Sequence, residues 1–194
     1  MKGFRVRLYH STSIHFLDKI KETGILPRSL SRVSGMWGIG GTSKSSNPNL
    51  VYFSKSKQGI WWHTLRSAVV NYEYKAIVFG VELNKIKRKN LRADENFIAA
   101  FPSPSDIKKA EFDRRWKASL NVFGSVAYRG SIDPKAIVDV SIVEVDHTHP
   151  LYKKSFFSSE DITERCRELD RVLSYTQMFE HKTVQDFLCI WHSI

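Results

Sequence analysis

Two stretches decide the fold: Leu8-Tyr9-His10-Ser11-Thr12 and Val51-Tyr52-Phe53-Ser54. Each reads as a short buried strand carrying a polar or aromatic residue that a core does not require. Residues 4–10 set Phe4, Val6 and Leu8 against Arg5, Arg7 and Tyr9, the period of a half-buried strand. Thr12 or Ser13 is placed to cap a following helix. The apolar positions Phe16, Leu17 and Ile20 of that helix fall at helical spacing, and Gly24 is placed to stop it. Ile25-Leu26-Pro27 then leads into a loop over 29–49 rich in Ser, Gly and Asn. Its length argues for a functional or a disordered segment, and Met36, Trp37 and Ile39 within it argue that part of it packs.

Outward from those stretches, residues 50–54 form a strand and 58–71 a helix opening on Trp61-Trp62-His63. Residues 75–83 are apolar and β-branched, a buried strand. Residues 85–92 read as a basic turn or edge. Pro102-Ser103-Pro104-Ser105 precedes a charged helix over 106–120, and 122–128 and 136–145 read as two further strands. From Ser158, three residues before Asp161 in a capping-box-like start, the chain turns acidic. Ile162, Leu169, Val172, Leu173 and Phe179 mark one helical face there, and Val184, Phe187, Leu188 and Trp191 another. The order β-α-β-α-β-α-β-β, without GxGxxG or a P-loop, argues against a doubly wound sheet. A mixed or antiparallel twisted sheet in an α+β domain over 1–150 is expected, with a helical extension over 151–194 packed on it or binding a partner.

A chain of 194 residues with 42% hydrophobic and 12% aromatic content can bury one such core. No apolar run is long enough to span a bilayer, and the N-terminus lacks the apolar core of a signal peptide. Cys166 and Cys189 show no metal-ligand or redox spacing, so no metal site and a reduced, cytoplasmic setting are expected. The net charge of +10 is uneven: +8 over residues 1–60, +4 over 61–145 and −2 over 146–194. A basic N-terminal half attracts polyanions and phosphate-bearing ligands.

The two opening stretches, in this order and with a helix between them, resemble the ADP-ribosyltransferase fold, in the branch of diphtheria toxin and the poly(ADP-ribose) polymerases. That branch carries His, Tyr and usually Glu on three core strands. Leu8-Tyr9-His10-Ser11-Thr12 is similar to its first motif, and residues 16–27 to the helix and turn that follow. Residues 49–56 are similar to the second motif, with Trp61-Trp62-His63 in the place of its aromatic helix. Residues 125–134 are similar to the third strand and its turn, in which Ser125 stands where the glutamate is usual.

The resemblance implies an α+β fold with a split mixed or antiparallel sheet, flanking helices and NAD as co-substrate. His10 would donate a hydrogen bond to the ribose beside nicotinamide, although a histidine at a strand end also fits a buried imidazole satisfied by a backbone carbonyl. Tyr52, with Trp61 or Trp62, would form a flat aromatic slot for the cationic ring, since aromatic faces stabilise positive charge. Ordinary core packing is their alternative. Ser11, Thr12, Ser54 and Ser56 are suited to amide and ribose contacts, or to capping.

Breaking the nicotinamide–ribose bond passes through an oxocarbenium-like state that a carboxylate normally stabilises. With serine at 125, Asp94 or Glu95 is a candidate source, against a reading as a solvated turn or helix cap. Alternatively the acceptor is reactive enough to need less help, or a Glu→Ser change leaves this copy inactive. Lys87, Arg88 and Lys89, with Arg28, Arg32 and Lys44, would form a phosphate track or a solvated edge. The expectation is a mono-ADP-ribosyltransferase acting on nucleic acid, RNA before DNA, in a toxin or phage-defence role with an antitoxin or other restraining protein. An RNA 2′-phosphotransferase and a non-catalytic nucleotide-binding module are the alternatives.

Overall fold

The structure, a computed structural model, describes residues 6–31, 46–60, 63, 64, 67, 75–101, 108, 114–145 and 189–193. It is an α+β fold built on one seven-stranded sheet, in which every strand pairing among the described residues is antiparallel. The strands are β1 (Arg7–Ser13), β2 (Leu50–Ser54), β3 (Lys75–Glu82), β4 (Leu91–Arg92), β5 (Ser125–Arg129), β6 (Ile137–Val145) and β7 (Cys189–Ser193). Their order across the sheet is β4-β5-β2-β1-β3-β6-β7, so β1 and β2 sit at its middle.

Local signals explain the elements beside the centre. The Ser13 hydroxyl accepts from the His15 N–H and opens a 3-10 turn at Ile14–Phe16. Helix α1 (Leu17–Thr23) follows and is closed by Gly24 at φ 79°, a left-handed conformation that glycine adopts at little cost. Directly after that turn, Ile25 and Ile132 exchange backbone hydrogen bonds of 3.1 and 2.9 Å, tying the end of α1 to the chain beyond β5. A short helix α2 (Arg28–Ser31), then α3 (Glu95–Ala100) and α4 (Trp116–Val122), complete the helices with described bounds.

The main core lies on one face of the sheet. Leu8, Val51, Phe53, Ile77, Phe79, Val81, Val126 and Tyr128 are buried there beneath Ile20, Ile25, Ile132 and Leu120. Alternation along the strands puts His10 on this same face and Tyr9 and Ser11 on the other. Tyr9, Ile60, Val78 and Val143 form a smaller cluster.

Three readings of the sequence are corrected. Val122 does not start a strand: α4 runs through it, and the chain turns at Gly124 (φ 68°) before β5. Residues 85–92 are two 3-10 turns, Leu83–Lys85 and Arg88–Asn90, and then the short strand β4 on β5. Trp191 belongs to no helix, because Cys189–Ser193 is a strand paired with β6 in the register Val143↔Trp191. The helical faces expected over 158–188 lie outside the described residues.

Candidate active site

β1 pairs with β3 along all seven of its residues, from Arg7↔Glu82 to Ser13↔Ala76. On its other side it is in register with β2 only at Tyr9↔Ser54. Beyond that point the two central strands part. Alternate residues of an antiparallel strand aim their N–H and C=O groups at opposite neighbours, so the parting turns backbone donors and acceptors into a cleft. The sheet is split at its centre, immediately after His10.

The His10 imidazole reaches across the split. Its Nδ1 lies 3.0 Å from the Tyr52 carbonyl oxygen. A carbonyl only accepts, so Nδ1 carries the proton and Nε2 of the neutral ring keeps its lone pair. The residue is half-buried, but the ring packs against Phe53 at 5.8 Å between centroids. Burial lowers the His10 pKa below its usual value, and the hydrogen bond to Tyr52 only partly opposes this. The neutral ring therefore offers Nε2 as an acceptor. The carbonyl that satisfies Nδ1 is the partner expected of a histidine buried at a strand end.

Tyr52, from β2, is half-buried, and its hydroxyl accepts from the Asn47 N–H at 3.0 Å. The same N–H lies 3.1 Å from Glu95 Oε1, which sets the carboxylate beside the Tyr52 phenol. Burial, then the charge of Glu95, push the Tyr52 phenol far above its ordinary range, so it stays protonated. Glu95 itself is exposed at the start of α3.

Its placement follows from a relay of hydrogen bonds. β4 pairs with β5 at Leu91↔Tyr128 and Arg92↔Ala127, which delivers Ala93 and Asp94 beside the start of β5. The buried Asp94 caps α3 by accepting from the Asn96 N–H at 2.8 Å. The Ser119 hydroxyl accepts from the Asp94 N–H at 2.9 Å and donates to the Ser125 carbonyl at 2.9 Å. Asp94 is thus spent as a cap, which leaves Glu95 as the carboxylate near Tyr52. Ser125 lies on β5 in register with Ser54, next to β2, and its backbone anchors the relay.

The remaining expected residues divide. The Ser11 Oγ is buried without a hydrogen-bond partner, and Thr12 is half-buried beyond it on β1. Ser54 and Ser56 are engaged in the turn after β2: Ser54 Oγ donates to the Gly124 carbonyl at 3.3 Å, and Ser56 Oγ accepts from Gly59 N at 2.9 Å. Arg28 does not reach outward as a phosphate ligand. It is half-buried, and its Nη2 donates to the Ser46 carbonyl and, at 3.0 Å, to the Ser46 hydroxyl. Lys87, Arg88 and Lys89 are exposed around the turn leading into β4. Trp61, Trp62, Arg32 and Lys44 lie outside the described residues. Among the described residues no cluster of three or more His, Cys, Asp or Glu is placed to hold a metal ion. No helix among them is long and apolar enough to cross a membrane.

Asn47 is the site residue that sequence reasoning missed. It contributes through its backbone, and no side-chain pattern signals that.

No family model matches the chain, and no curated protein matches it. Two solved structures are similar in overall course. One, EcPltA, has a TM-score of 0.41 at 11% identity, over 75% of this chain and 80% of that one. The other, the full-length CARDS toxin, has a TM-score of 0.36 at 14% identity, over 73% of this chain. The match covers 25% of the CARDS toxin's own length. Similarity at this level carries no functional argument, so the case for function rests on the site.

Proposed function

We propose that the chain is an NAD-dependent mono-ADP-ribosyltransferase in which His10, Tyr52 and Glu95 surround the reacting ribose. What carries the reading is the point where β1 and β2 cease to pair, with the His10 imidazole bonded across it to the Tyr52 backbone on one face of the sheet and the Tyr52 phenol, beside Glu95, on the other. The residues fit the dinucleotide. The orphaned, buried Ser11 hydroxyl wants a partner that a carboxamide can supply, and His10 Nε2 wants a hydroxyl donor. His10 and Thr12, on the core face, and Ser11 and Tyr52, on the opposite face, would approach the nicotinamide riboside end from the two sides of the split.

In the reaction the bond between the anomeric carbon and the nicotinamide nitrogen breaks, and nicotinamide leaves with the electron pair. A nucleophile of the acceptor bonds to that carbon and gives up its proton. Glu95, an exposed carboxylate, is the group suited to stabilise the developing positive charge and take the proton. It would replace the glutamate that Ser125 lacks, from the neighbouring strand's exit rather than from the strand itself.

A nucleic-acid acceptor is favoured, RNA before DNA. The exposed Lys87-Arg88-Lys89 turn precedes β4, whose far end leads to Glu95, and it offers a phosphate-attracting surface. A toxin or phage-defence role, with an antitoxin-like restraining partner, follows from modification of such an acceptor.

The test is incubation with isotopically labelled NAD and a mixture of RNA, DNA and protein, reading label transfer and free nicotinamide. Label on nucleic acid, lost in His10→Ala and Glu95→Gln, supports the reading. Dephosphorylated RNA with a cyclic-phosphate ADP-ribose product would make the chain an RNA 2′-phosphotransferase. Nucleotide binding without nicotinamide release would make it a binding module. If Ser125→Glu alone then restored release, Glu95 would not be the carboxylate.

A further inference from the structure

The Asn47 N–H touches both Tyr52 and Glu95, yet Asn47 itself belongs to no strand or helix. Two contacts from α2 hold it instead. The Ser29 N–H donates to the Pro48 carbonyl at 2.9 Å, and Arg28 Nη2 grips Ser46 through both its carbonyl and its hydroxyl. Asn47 lies between these two clamped residues. Its side chain adds a local brace, accepting from the Asn49 N–H at 3.0 Å. Its own N–H is thereby aimed at the pair formed by Tyr52 Oη, at 3.0 Å, and Glu95 Oε1, at 3.1 Å.

We propose that Arg28 is a positioning residue for the Glu95–Tyr52 pair, acting through Ser46 and the Asn47 N–H. This rests on the proposed transferase reading for its effect on rate, but not for its structural content. Glu95 is exposed and sits on the first turn of a six-residue helix, so its own backbone leaves the side chain several rotamers. An N–H donated to one carboxylate oxygen favours one of them. Arg28 is the cationic side chain that the described residues show on Ser46–Pro48, and its charge strengthens the hydrogen bonds that hold Ser46. Both bonds leave from a single nitrogen, so a lysine ammonium can replace them in part, whereas an uncharged side chain replaces them poorly.

The experiment follows the Asn47 amide in two-dimensional NMR of the full chain across pH, beside steady-state nicotinamide release. In the unaltered protein the Asn47 amide proton lies downfield and moves as Glu95 ionises, and Glu95→Gln removes that movement. Arg28→Gln should shift the Asn47 amide upfield and uncouple it from Glu95. It should also lower kcat about tenfold, the order expected for losing one hydrogen bond to a charged group, with KM changed less than about twofold. Arg28→Lys should recover part of both effects, and Ser46→Ala should give a smaller change in the same direction. If the Asn47 amide still tracks Glu95 in Arg28→Gln, or if KM rises with kcat intact, the assignment is overturned. Should Arg28→Gln fail to fold, Arg28→Lys and Ser46→Ala carry the same comparison. If the unaltered protein releases no nicotinamide, the transferase reading fails, and the amide titration still decides whether Arg28 sets the carboxylate.

Discussion

Replacing His10 by phenylalanine separates what the imidazole does by packing from what it does by hydrogen bonding. The ring contact with Phe53, 5.8 Å between centroids, survives in His10→Phe, whereas the donor to the Tyr52 carbonyl is lost. An unsatisfied buried acceptor costs about 1–3 kcal/mol. Tyr52 is half-buried, so water can reach part of its surroundings and the cost belongs near the lower end. His10→Ala gives up the ring as well and should be less stable than His10→Phe by a further margin of about 1 kcal/mol or more.

The pH dependence supplies the sharper reading. The folded-state pKa of His10 is depressed by burial, so below the unfolded value near 6.5 the unfolded chain binds a proton that the native one refuses. The contribution of His10 is present above pH 6.5 and is lost as pH falls toward the folded pKa, at up to about 1.4 kcal/mol per pH unit. Urea unfolding at pH 7.5, 6.5 and 5.5 should show the unaltered protein losing stability with acid more steeply than His10→Phe. The other histidines and the carboxylates are common to both proteins and cancel in the difference. Parallel pH curves for the two proteins would refute the neutral, Nδ1-protonated imidazole, and with it the assignment of Nε2 as an acceptor.

Tyr52→Phe removes the hydroxyl that meets both the Asn47 N–H and Glu95; nicotinamide release should fall about tenfold, with NAD affinity by calorimetry changed less than about threefold. Equal losses in both would mean that the phenol only binds. Gly24→Ala should cost more than about 2 kcal/mol in thermal unfolding. An added Cβ would stand 1.9 Å from the Ile132 oxygen at φ +79°, so the Ile25–Ile132 pair must open. The combined change of Lys87, Arg88 and Lys89 to alanine should lower the slope of log K against log salt for nucleic-acid binding by roughly 2–3. An unchanged slope would remove that turn from the acceptor surface.

Much of the scaffold was legible because it is written locally. Leu17 and Ile20 on one helical face and Gly24 as a stop need only neighbouring residues, and the structure has both; Ser13 caps the 3-10 turn that ends at Phe16, and α1 itself starts without a side-chain cap. The apolar run after Lys75 located β3, whereas the alternation read over 4–10 falls too early: β1 is Arg7–Ser13, and Val6 is exposed before it. Where the competing signals were local but equal, the reading slipped. Val122 suits a strand as well as the last turn of a helix, and only the left-handed Gly124 marks the boundary. Trp191 completes a helical face with Val184, Phe187 and Leu188, yet Cys189-Ile190-Trp191 is also a short apolar run that an open sheet edge can capture. Pairing with β6 decided between them.

The site itself was legible only in its residue types. His10 and Tyr52 drew notice as side chains that a core does not need, but a strand sequence does not say where its partner lets go. The parting of β1 from β2 shows only in the registers of strands far apart in the chain: β1 is matched by β3 along its length and β2 by β5, while β1 and β2 meet only at Tyr9↔Ser54. Glu95 and Asp94 were indistinguishable as neighbouring carboxylates. Their roles separate only because Ser119, on another helix, takes the Asp94 N–H and hands its own proton to the Ser125 carbonyl, so that Asp94 faces inward as a cap and Glu95 outward. Arg28 failed in the other direction: its charge suggested a ligand, whereas a half-buried guanidinium is held by the nearest acceptors, here those of Ser46. Residue chemistry therefore chose the candidates, and long-range hydrogen bonds chose among them.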